Sequence, residues 1–444
     1  MPVELNLAAR SVAAVWHPCT QMQLLADAPP IALARGDGPW LYDTEGRRYL
    51  DAISSWWVNL FGHAHPSINA AIIDQLGRLE HALLAGCTHE PAVALAERLS
   101  ACTRGALGHC FFASDGASAV EIALKMSAHW WRNQGFPERC EFAYLEGGYH
   151  GETVGALSVT DVGLFRDAYG TLLRAAHRVP SPDARQALEG ESAQAVALRA
   201  AATVAALFET HGRRIAALIV EPLVQCAGGM AMHDPLYLRE LRRLCDEHGV
   251  HLIADEIAVG FGRTGSFFAC EQAGIWPDFM CLSKGLSAGY LPLSAVLCRE
   301  AIYAGFLDYR VERGFLHSHS FTGNPLACRA ALASLDLFDD LDVIEQNKSR
   351  SARLAHALAP LDDNPRVRHL RQRGMITAFD VLLDDPGTAR EFAAAFHAAA
   401  RAEELLLRPI GNTVYLMPPY ILDEPQIDWL AERTIAALHR TLND

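Results

Sequence analysis

The stretch CLSKGLSAG at residues 281–289 contains two residue types that could carry covalent chemistry. Ser287 lies in a G-x-S-x-G pattern, which is typical of the nucleophile of serine hydrolases. Lys284 lies where an apolar run ends, and a lysine amine in such a place can form a Schiff base with a carbonyl compound. The rest of the chain decides between the two.

The residues around Ser287 argue against a hydrolase. A nucleophile elbow leads directly into a helix, whereas GLSAGYLPLSAVLC continues through Gly289 and Pro292 into a second apolar run. No HGGG-type segment, which would form an oxyanion hole, precedes it. A serine hydrolase that uses Ser287 is therefore a distant alternative.

A second glycine-rich segment, GFGRTG at residues 260–265, matches the G-x-G-x-x-G pattern of dinucleotide-binding proteins. In those proteins the first glycine follows a strand at once and a helix begins at the third. Here DEIAV intervenes, and SFFACEQAG is a poor helix start. The segment is more typical of a loop that turns the chain and presents Arg263.

Lys284 has candidate partners in two other segments. Asp255 ends the apolar run VHLIADE and Lys284 follows DFMCLS, so neighbouring strands would place both side chains at one edge of a sheet. The turn SDGAS runs into a helical pattern, and the free N–H groups around Gly116, Ala117 and Ser118 can bind an anion there.

A lysine, a carboxylate and a phosphate cradle at one sheet edge are the groups that pyridoxal 5′-phosphate (PLP) requires. Lys284 would bind the cofactor covalently, and Asp255 would hold the pyridine nitrogen protonated. Opposite charges about 4 Å apart gain roughly 4 kcal/mol at an effective dielectric constant near 20, before desolvation is subtracted. Tyr149, after the apolar run EFAYLE, would reach the same edge and stack on the cofactor ring.

The hydrophobic pattern predicts the elements that position these residues. Apolar runs alternate with helical periodicities, which indicates a mostly parallel sheet with helices on both faces. The predicted strands are CFFAS, EFAYLE, AALIVEP, VHLIADE, DFMCLSK and LSAVLC. IALARGDGPWLYDTEGRRYLDA predicts an antiparallel meander before them, and an α+β segment follows them. We expect a large domain at 66–329 and a smaller one formed by 1–65 and 330–444.

Composition narrows the class of protein. The chain of 444 residues is 50% hydrophobic with a formal charge of −14, so neither nucleic acid nor a membrane is expected as a partner.

The eleven cysteines lack C-x-x-C spacing, and MPVELNLAARSVAAV lacks a basic segment before an apolar run, so we expect a cytoplasmic protein with reduced thiols. The pairs His63/His65 and His317/His319 lack metal-site spacing, and no metal is expected.

The segment LIADEIAVGFGRTGSFFACEQAGIWPDFMCLSKGLSAGYLPLSAV resembles the PLP signature of the class III aminotransferases. The likeness extends over nearly the whole chain, through LYDTEGRRYLDAISSWWVNLFGHAHP and HSHSFTGNPLACRAAL. The resemblance implies an α/β fold of type I among PLP-dependent transferases, a homodimer with shared active sites, and a ping-pong transamination.

Four segments, WHPCTQM, SSWW, YHGET and LRPIGNTVYLMPPY, are similar to a particular subgroup of this family. Its members convert 8-amino-7-oxononanoate into 7,8-diaminononanoate in biotin biosynthesis, with S-adenosylmethionine as the amino donor. The acceptor is a long apolar chain with a distant carboxylate. Trp56 and Trp57 would form an apolar wall, and Arg408 would grip the carboxylate. Adjacent residues of an extended chain point in opposite directions, so a buried tryptophan pair is harder to arrange.

The resemblance assigns catalysis to Lys284, Asp255 and Tyr149. It implies that the cofactor contacts Gly116, Ala117, Tyr149, Asp255, Lys284 and, from the other subunit, His319 and Ser320. It implies that the substrates contact Cys19, Trp56, Trp57, Tyr149, Lys284, Ser318 and Arg408, and we expect Arg263 to orient the donor's carboxylate.

Several positions depart from the family pattern. Cys19 stands where relatives carry a tyrosine that is implied to stack on the donor's adenine, and a thiol cannot stack. Ala117 replaces a common serine, which keeps the backbone N–H but removes a hydroxyl donor. Glu152, Cys226 and Ser318 are milder changes, from an aspartate and two glycines.

Three questions of function stay open at this point. The donor is S-adenosylmethionine or lysine. The reaction is the one above or that of another class III enzyme, which would use an ω-amino acid or a diamine with pyruvate. A protein of this fold that binds PLP without turnover is a third alternative.

Overall fold

The computed structural model describes residues 6–443. The strands in this part of the chain are β1 Leu33–Asp37, β2 Trp40–Asp43, β3 Arg48–Leu50, β4 His109–Ala113, β5 Glu141–Leu145, β6 His177–Val179, β7 Ile215–Val220, β8 Val224–Gln225, β9 Ala231–Met232, β10 His251–Asp255, β11 Phe279–Leu282, β12 Ser294–Cys298, β13 Val367–Arg373, β14 Ile376–Val381 and β15 Thr413–Leu416.

The helical segments are α1 Leu7–Ala14, α2 Ser54–Trp57, α3 Pro66–Leu76, α4 Glu90–Cys102, α5 Gly116–Asn133, α6 Val154–Ser158, α7 Gly163–Arg166, α8 Ala193–His211, α9 Pro235–His248, α10 Glu300–Ala304, α11 Pro325–Asp340, α12 Val343–Leu358, α13 Ala389–Ala402 and α14 Glu424–Asn443. The short α2 is a left-handed turn, because its residues have positive φ.

A seven-stranded sheet with the order β4-β12-β11-β10-β7-β5-β6 forms the centre of the molecule. β6, β5, β7, β10 and β11 run parallel, and β12 runs antiparallel to both of its neighbours, β11 and β4. The predicted mostly parallel sheet is confirmed, and each of the six predicted runs forms one of its strands. The seventh strand, β6, has only three residues, which is too short a pattern to recognise in the sequence.

Helices cover both faces of this sheet, which explains its continuous apolar strands. All residues of β7 and β10 are buried. Side chains alternate between the two faces of a strand. On one face, Ile219 and Ile253 pack in a cluster with residues of α5. On the other face, Leu218 and Leu252 pack in a cluster with residues of α8 and α9. α9 ends at His248 and is followed by the capping residue Gly249. The φ of Gly249 is +61°, a left-handed conformation that glycine adopts without strain.

The two ends of the chain meet beside the central sheet. β1, β2 and β3 form the predicted antiparallel meander, and β13, β14 and β15 form a second antiparallel sheet. Leu50 N–H donates to Glu404 O at 2.8 Å, and Leu406 N–H donates to Leu50 O at 2.9 Å.

The predicted boundary at 329/330 falls inside α11, and the division into two domains stays a prediction.

Among the described residues, no helix has the length and apolar character that a membrane crossing requires.

Candidate active site

A cavity of about 460 Å³ opens beside the sheet edge where β10 and β11 end. The fold brings together seven residues that the sequence analysis singled out, and their side chains or backbones line this cavity: Trp56, Trp57, Gly116, Ala117, Tyr149, Asp255 and Lys284.

Lys284 lies two residues past the end of β11 and is partly buried in the cavity wall. Its φ of +45° turns the chain sharply after the strand, and its Nζ lies 4.4 Å from the ring centroid of Trp57. Burial lowers the pKa of Lys284, although Cys226, Asp255 and Glu221 oppose the shift electrostatically. A lowered pKa favours the neutral amine, which is the nucleophilic form.

Asp255 is the last residue of β10 and is 4% exposed. Its Oδ2 accepts a hydrogen bond from His150 Nδ1 at 2.7 Å, and its Oδ1 accepts one from Ile257 N–H at 3.1 Å. His150 is itself buried. The carboxylate is therefore fixed in position, as a group that must meet a ring nitrogen requires.

The first turn of α5 forms the predicted anion cradle, with one change. Asp115 caps the helix by accepting from Ser118 N–H at 2.9 Å and from Ser118 Oγ–H at 2.8 Å. Ser118 is therefore already engaged. The N–H groups of Gly116 and Ala117 open the helix and have no intrahelical acceptor, so they are the ones that can bind an anion.

The cradle is tightly shaped by its neighbours. A side chain at Gly116 would place its Cβ 3.1 Å from the Ile257 side chain, and one at Gly151 would place its Cβ 2.5 Å from Ala117 Cβ. Glycine at both positions therefore lets Ile257 and the segment at Gly151 pack closely against the first turn of α5.

Tyr149 follows β5 and lines the cavity beside Glu152 and Glu221. Its hydroxyl donates to Glu152 Oε1 at 2.9 Å, and its N–H donates to Glu221 Oε2 at 3.0 Å. Burial raises the pKa of Tyr149, and Glu152 raises it further. The phenol therefore stays protonated at neutral pH.

Cys19 lies close enough to Glu152 and Arg408 for both to affect its charge. Burial raises the pKa of the Cys19 thiol, Glu152 raises it further, and Arg408 opposes the shift. Cys19 does not belong to the cavity wall itself, and it is exposed.

The tandem tryptophans adopt a conformation that the sequence analysis did not anticipate. They lie in the left-handed turn α2, with φ of +70° and +75°, and not in an extended chain. Trp57 is buried, and its indole N–H donates to Tyr415 Oη at 3.2 Å. Trp56 is 45% exposed, and the guanidinium carbon of Arg408 lies 5.7 Å from the centroid of its ring.

The structure does not bring Arg263 to the cavity, which corrects the expectation that it orients the donor's carboxylate. Its side chain is 1% exposed. Nη1 donates to the carbonyl oxygens of Met417 and Pro418, and Nη2 donates to those of Trp57 and Asn59. Because both terminal nitrogens are engaged with the backbone, Arg263 joins the tryptophan turn to the segment after β15, while its buried Nε has no hydrogen-bond partner.

Ser318, His319 and Ser320 also lie outside the cavity of the single chain. Ser318 and Ser320 are exposed, and His319 Nε2 lies 3.0 Å from Nε2 of His317. Their predicted roles at another subunit's site stay predictions.

Ser287 lacks the surroundings of a nucleophile. It is 3% exposed, and its Oγ donates to Leu291 O at 2.6 Å. The following residues continue to β12 and not to a helix. The GFGRTG segment is likewise a series of turns with no helix at its third glycine.

Two buried residues of the cavity were missed by the sequence analysis. Glu221 accepts from the N–H groups of Tyr149 and Cys226, each at 3.0 Å, and burial raises its pKa to about 7. His150 supports Asp255. A signal for Glu221 was available, because AALIVEP ends on an acid in the same way as VHLIADE does.

A partly buried lysine and a fixed carboxylate at the edge of a mostly parallel sheet, facing a helix N-terminus, define a site of the fold type I transferases. The family description "Aminotransferase class-III" matches residues 23–438. The chain therefore belongs to the class III aminotransferases.

The chain is similar to particular members of this family. It is 44% identical over 451 residues to an adenosylmethionine-8-amino-7-oxononanoate aminotransferase of Helicobacter pylori, covering 100% of this chain and 99% of that protein. A crystal structure of the enzyme of the same name from Methanocaldococcus jannaschii is 33% identical, with a TM-score of 0.90 and 97% of each chain covered. A PLP-bound amine transaminase from an uncultivated Pseudomonas species is also 33% identical, with a TM-score of 0.91 over 96% of this chain and 99% of that one.

Proposed function

We propose that the protein is a PLP-dependent aminotransferase that converts 8-amino-7-oxononanoate into 7,8-diaminononanoate, a step of biotin biosynthesis. The observation that carries the proposal is the cation of Arg408 beside the exposed ring of Trp56, 5.7 Å from its centroid. An apolar wall next to a guanidinium matches a fatty-acid-like chain that ends in a carboxylate. The name of the Helicobacter pylori relative supports the same reaction.

The residues of the cavity fit PLP. Gly116 and Ala117 offer N–H groups for its phosphate, and Asp255 is a buried acceptor for its ring nitrogen. Lys284 would bind it covalently through Nζ. When bound, PLP supplies a protonated ring that withdraws electrons from the carbon that bears the amine.

Asp255 and Lys284 would perform separate tasks in the reaction. The charge of Asp255 would favour the protonated ring nitrogen, and about 3 kcal/mol of attraction corresponds to roughly two pKa units. In the first half of the ping-pong cycle, Lys284 Nζ would take the proton from the amine-bearing carbon of the donor and deliver it to the cofactor carbon that carries the amine. In the second half it would move a proton in the opposite direction, to the carbon of the acceptor. Burial supports this role because it lowers the pKa of Lys284.

Trp56 and Arg408 would orient the acceptor. The indole of Trp56 would cover the apolar chain and exclude water from it, while Arg408 would form a two-point contact with the carboxylate. Tyr149 would cover the reacting end, since it lines the cavity together with Lys284.

S-adenosylmethionine is the donor that we propose, as in the names of the relatives. The carboxylate of Glu152 at the cavity wall is suited to a cationic donor. Arg263 is engaged with the backbone, so another group must hold the donor's carboxylate.

The active enzyme is proposed to be a homodimer. Large apolar side chains are exposed in the segment that contains Ser318, His319 and Ser320, namely Leu307, Tyr309, Val311, Leu316 and Phe321. Several large apolar side chains exposed within one short segment are typical of an interface. A second copy that covers it would bring His319 and Ser320 towards the neighbouring cradle.

We also propose a reducing compartment, the cytoplasm, as the place where the protein works. All eleven cysteines are free, and six of them are buried. Unpaired buried thiols are typical of proteins that fold where thiols stay reduced.

The cofactor class is tested by reducing the purified, cofactor-loaded protein with borohydride and mapping the modified peptide. A pyridoxyl group on Lys284 is expected, and Lys284→Ala should give no labelled peptide. Cofactor-loaded protein with an unmodified Lys284 would contradict the proposal.

The reaction is tested with 8-amino-7-oxononanoate as acceptor and either S-adenosylmethionine or lysine as donor, with the diamine product measured by mass spectrometry. The second candidate function, favoured by the likeness to the solved amine transaminase, predicts activity with β-alanine or a diamine and pyruvate. In that case Trp56→Ala should be tolerated, whereas our proposal expects a large loss with 8-amino-7-oxononanoate.

A further inference from the structure

The turn that carries both tryptophans has an unusual backbone. Its four consecutive residues, Ser54, Ser55, Trp56 and Trp57, have φ of +51°, +47°, +70° and +75°. Left-handed backbone crowds the Cβ of any residue other than glycine. Such a conformation persists only where the surrounding structure holds it, and it is found most often at functional sites.

Asp51 makes the contacts that are best placed to hold this turn. The residue is 0% exposed. Its Oδ1 accepts from Ser55 N–H at 2.8 Å, and its Oδ2 accepts from Ser55 Oγ–H at 2.6 Å. A buried carboxylate thus binds two donors of one strained residue, immediately before Trp56.

His63 also contacts the carboxylate of Asp51. Its Nε2 lies 3.1 Å from Asp51 Oδ2, and its Nδ1 lies 3.1 Å from Asn59 Nδ2. The amide of Asn59 can only donate through Nδ2, so Nδ1 of His63 accepts and Nε2 carries the proton. In this tautomer each contact along the chain Asn59, His63, Asp51 and Ser55 joins a donor to an acceptor, and Oδ1 of Asn59 is left without a partner.

We infer that Asp51 is a positioning residue that sets substrate selection by holding the Trp56 turn. Asp51 does not line the cavity, so it acts through Trp56, whose ring faces Arg408, and through Trp57, whose ring lies beneath Lys284. The inference rests on the proposed function, because it names the acceptor as the substrate whose binding depends on the turn.

The test compares two buried carboxylates. Asp51→Asn keeps an acceptor for Ser55 N–H but loses the charge and the acceptor for Ser55 Oγ. The matched control is Asp278→Asn, since Asp278 is also buried and accepts from Arg242 Nη1 at 2.8 Å and Leu252 N–H at 2.7 Å. In Asp51→Asn we expect the KM for 8-amino-7-oxononanoate to rise about tenfold, as for the loss of one charge-assisted hydrogen bond, with a smaller change in kcat.

A second measurement does not depend on activity. Hydrogen–deuterium exchange of the peptide that contains residues 54–58 should become faster in Asp51→Asn and stay unchanged in Asp278→Asn. Ser55→Ala, which removes only the Oγ–H bond, should change both quantities in the same direction by a smaller amount. This milder variant also keeps the test decisive if Asp51→Asn does not fold.

An unchanged KM together with unchanged exchange in Asp51→Asn or Ser55→Ala would overturn the inference. Equal effects of Asp51→Asn and Asp278→Asn on both quantities would also overturn it, because they would indicate general destabilisation. If the wild-type protein does not aminate 8-amino-7-oxononanoate, the proposed function fails, and the exchange measurement still decides whether Asp51 holds the turn.

Discussion

Burial changes the acid–base chemistry of individual side chains in the cavity. It lowers the pKa of Lys284 and raises the pKa of Tyr149 and of Glu221, the last to about 7. The common cause is that a charged group loses solvation when it leaves water. The pKa shifts therefore favour the neutral forms of both Lys284 and Glu221. A neutral amine suits the proposed role of Lys284 as a nucleophile and as a proton carrier.

The pKa of Glu221 makes a prediction for stability. Its ordinary value is 4.5 and its folded value about 7, so between these values the folded state binds more protons than the unfolded state. The free energy of unfolding should therefore fall by about 3 kcal/mol as the pH rises through this window. Glu221→Gln should lack this decrease.

Urea unfolding of the wild type and Glu221→Gln at pH 5 and pH 8 measures the effect. The exposed Glu189→Gln serves as the control and should behave like the wild type. Equal pH dependence in wild type and Glu221→Gln would show that Glu221 is not the group responsible.

At the scale of secondary-structure elements, the site is formed by the ends of two strands, the start of one helix and one turn. β10 and β11 end next to each other and deliver Asp255 and Lys284, and α5 begins directly after β4 with its N-terminus towards them. These groups lie at or next to the ends of regular elements. The proposed acceptor wall lies instead on the left-handed turn α2, and Arg408 lies between α13 and β15. In this proposal the residues for chemistry and those for substrate selection lie on different kinds of structure.

This separation predicts a specific effect for Arg408→Ala. The KM for 8-amino-7-oxononanoate should rise by roughly 10- to 100-fold, because a guanidinium contact with a carboxylate is lost. The half reaction with the donor should change little, since Lys284 and Asp255 are untouched. Steady-state and single-turnover kinetics measure the two effects separately.

Arg390→Ala, an exposed arginine on α13, is the matched control for Arg408→Ala and should leave both quantities unchanged. An Arg408→Ala protein that loses donor and acceptor reactions equally would place Arg408 in the general structure of the site and not in acceptor recognition.

The molecule as a whole has an exposed apolar segment beside Ser318, His319 and Ser320, the residues predicted to act at another subunit's site. Leu316 is 76% exposed and Phe321 63% exposed, on either side of His319. The single chain buries its central sheet on both faces and leaves this segment bare. We propose a second copy of the chain as the occupant, because it would also give His319 and Ser320 their predicted role at another subunit's site.

Leu316→Asp should therefore weaken the dimer. Light scattering during size-exclusion chromatography should give twice the chain mass for the wild type and a concentration-dependent decrease for the variant. PLP should also be lost faster on dialysis, because the partner's contribution to its phosphate would be missing. Leu188→Asp, at another exposed leucine, is the control, and a wild-type protein with the mass of one chain would contradict the prediction.

The sequence by itself determined six of the seven strands of the central sheet, the helix after SDGAS, and the placement of Lys284 and Asp255 at one edge. These depend on periodicity and capping, which act over a few residues. Only the tertiary structure decided the surroundings of Arg263 and the hand of the tryptophan turn. Arg263 binds the carbonyl of Pro418, 155 residues away, and Asp51 holds the turn together with His63. Contacts of this kind depend on packing between distant segments, and no local pattern records them.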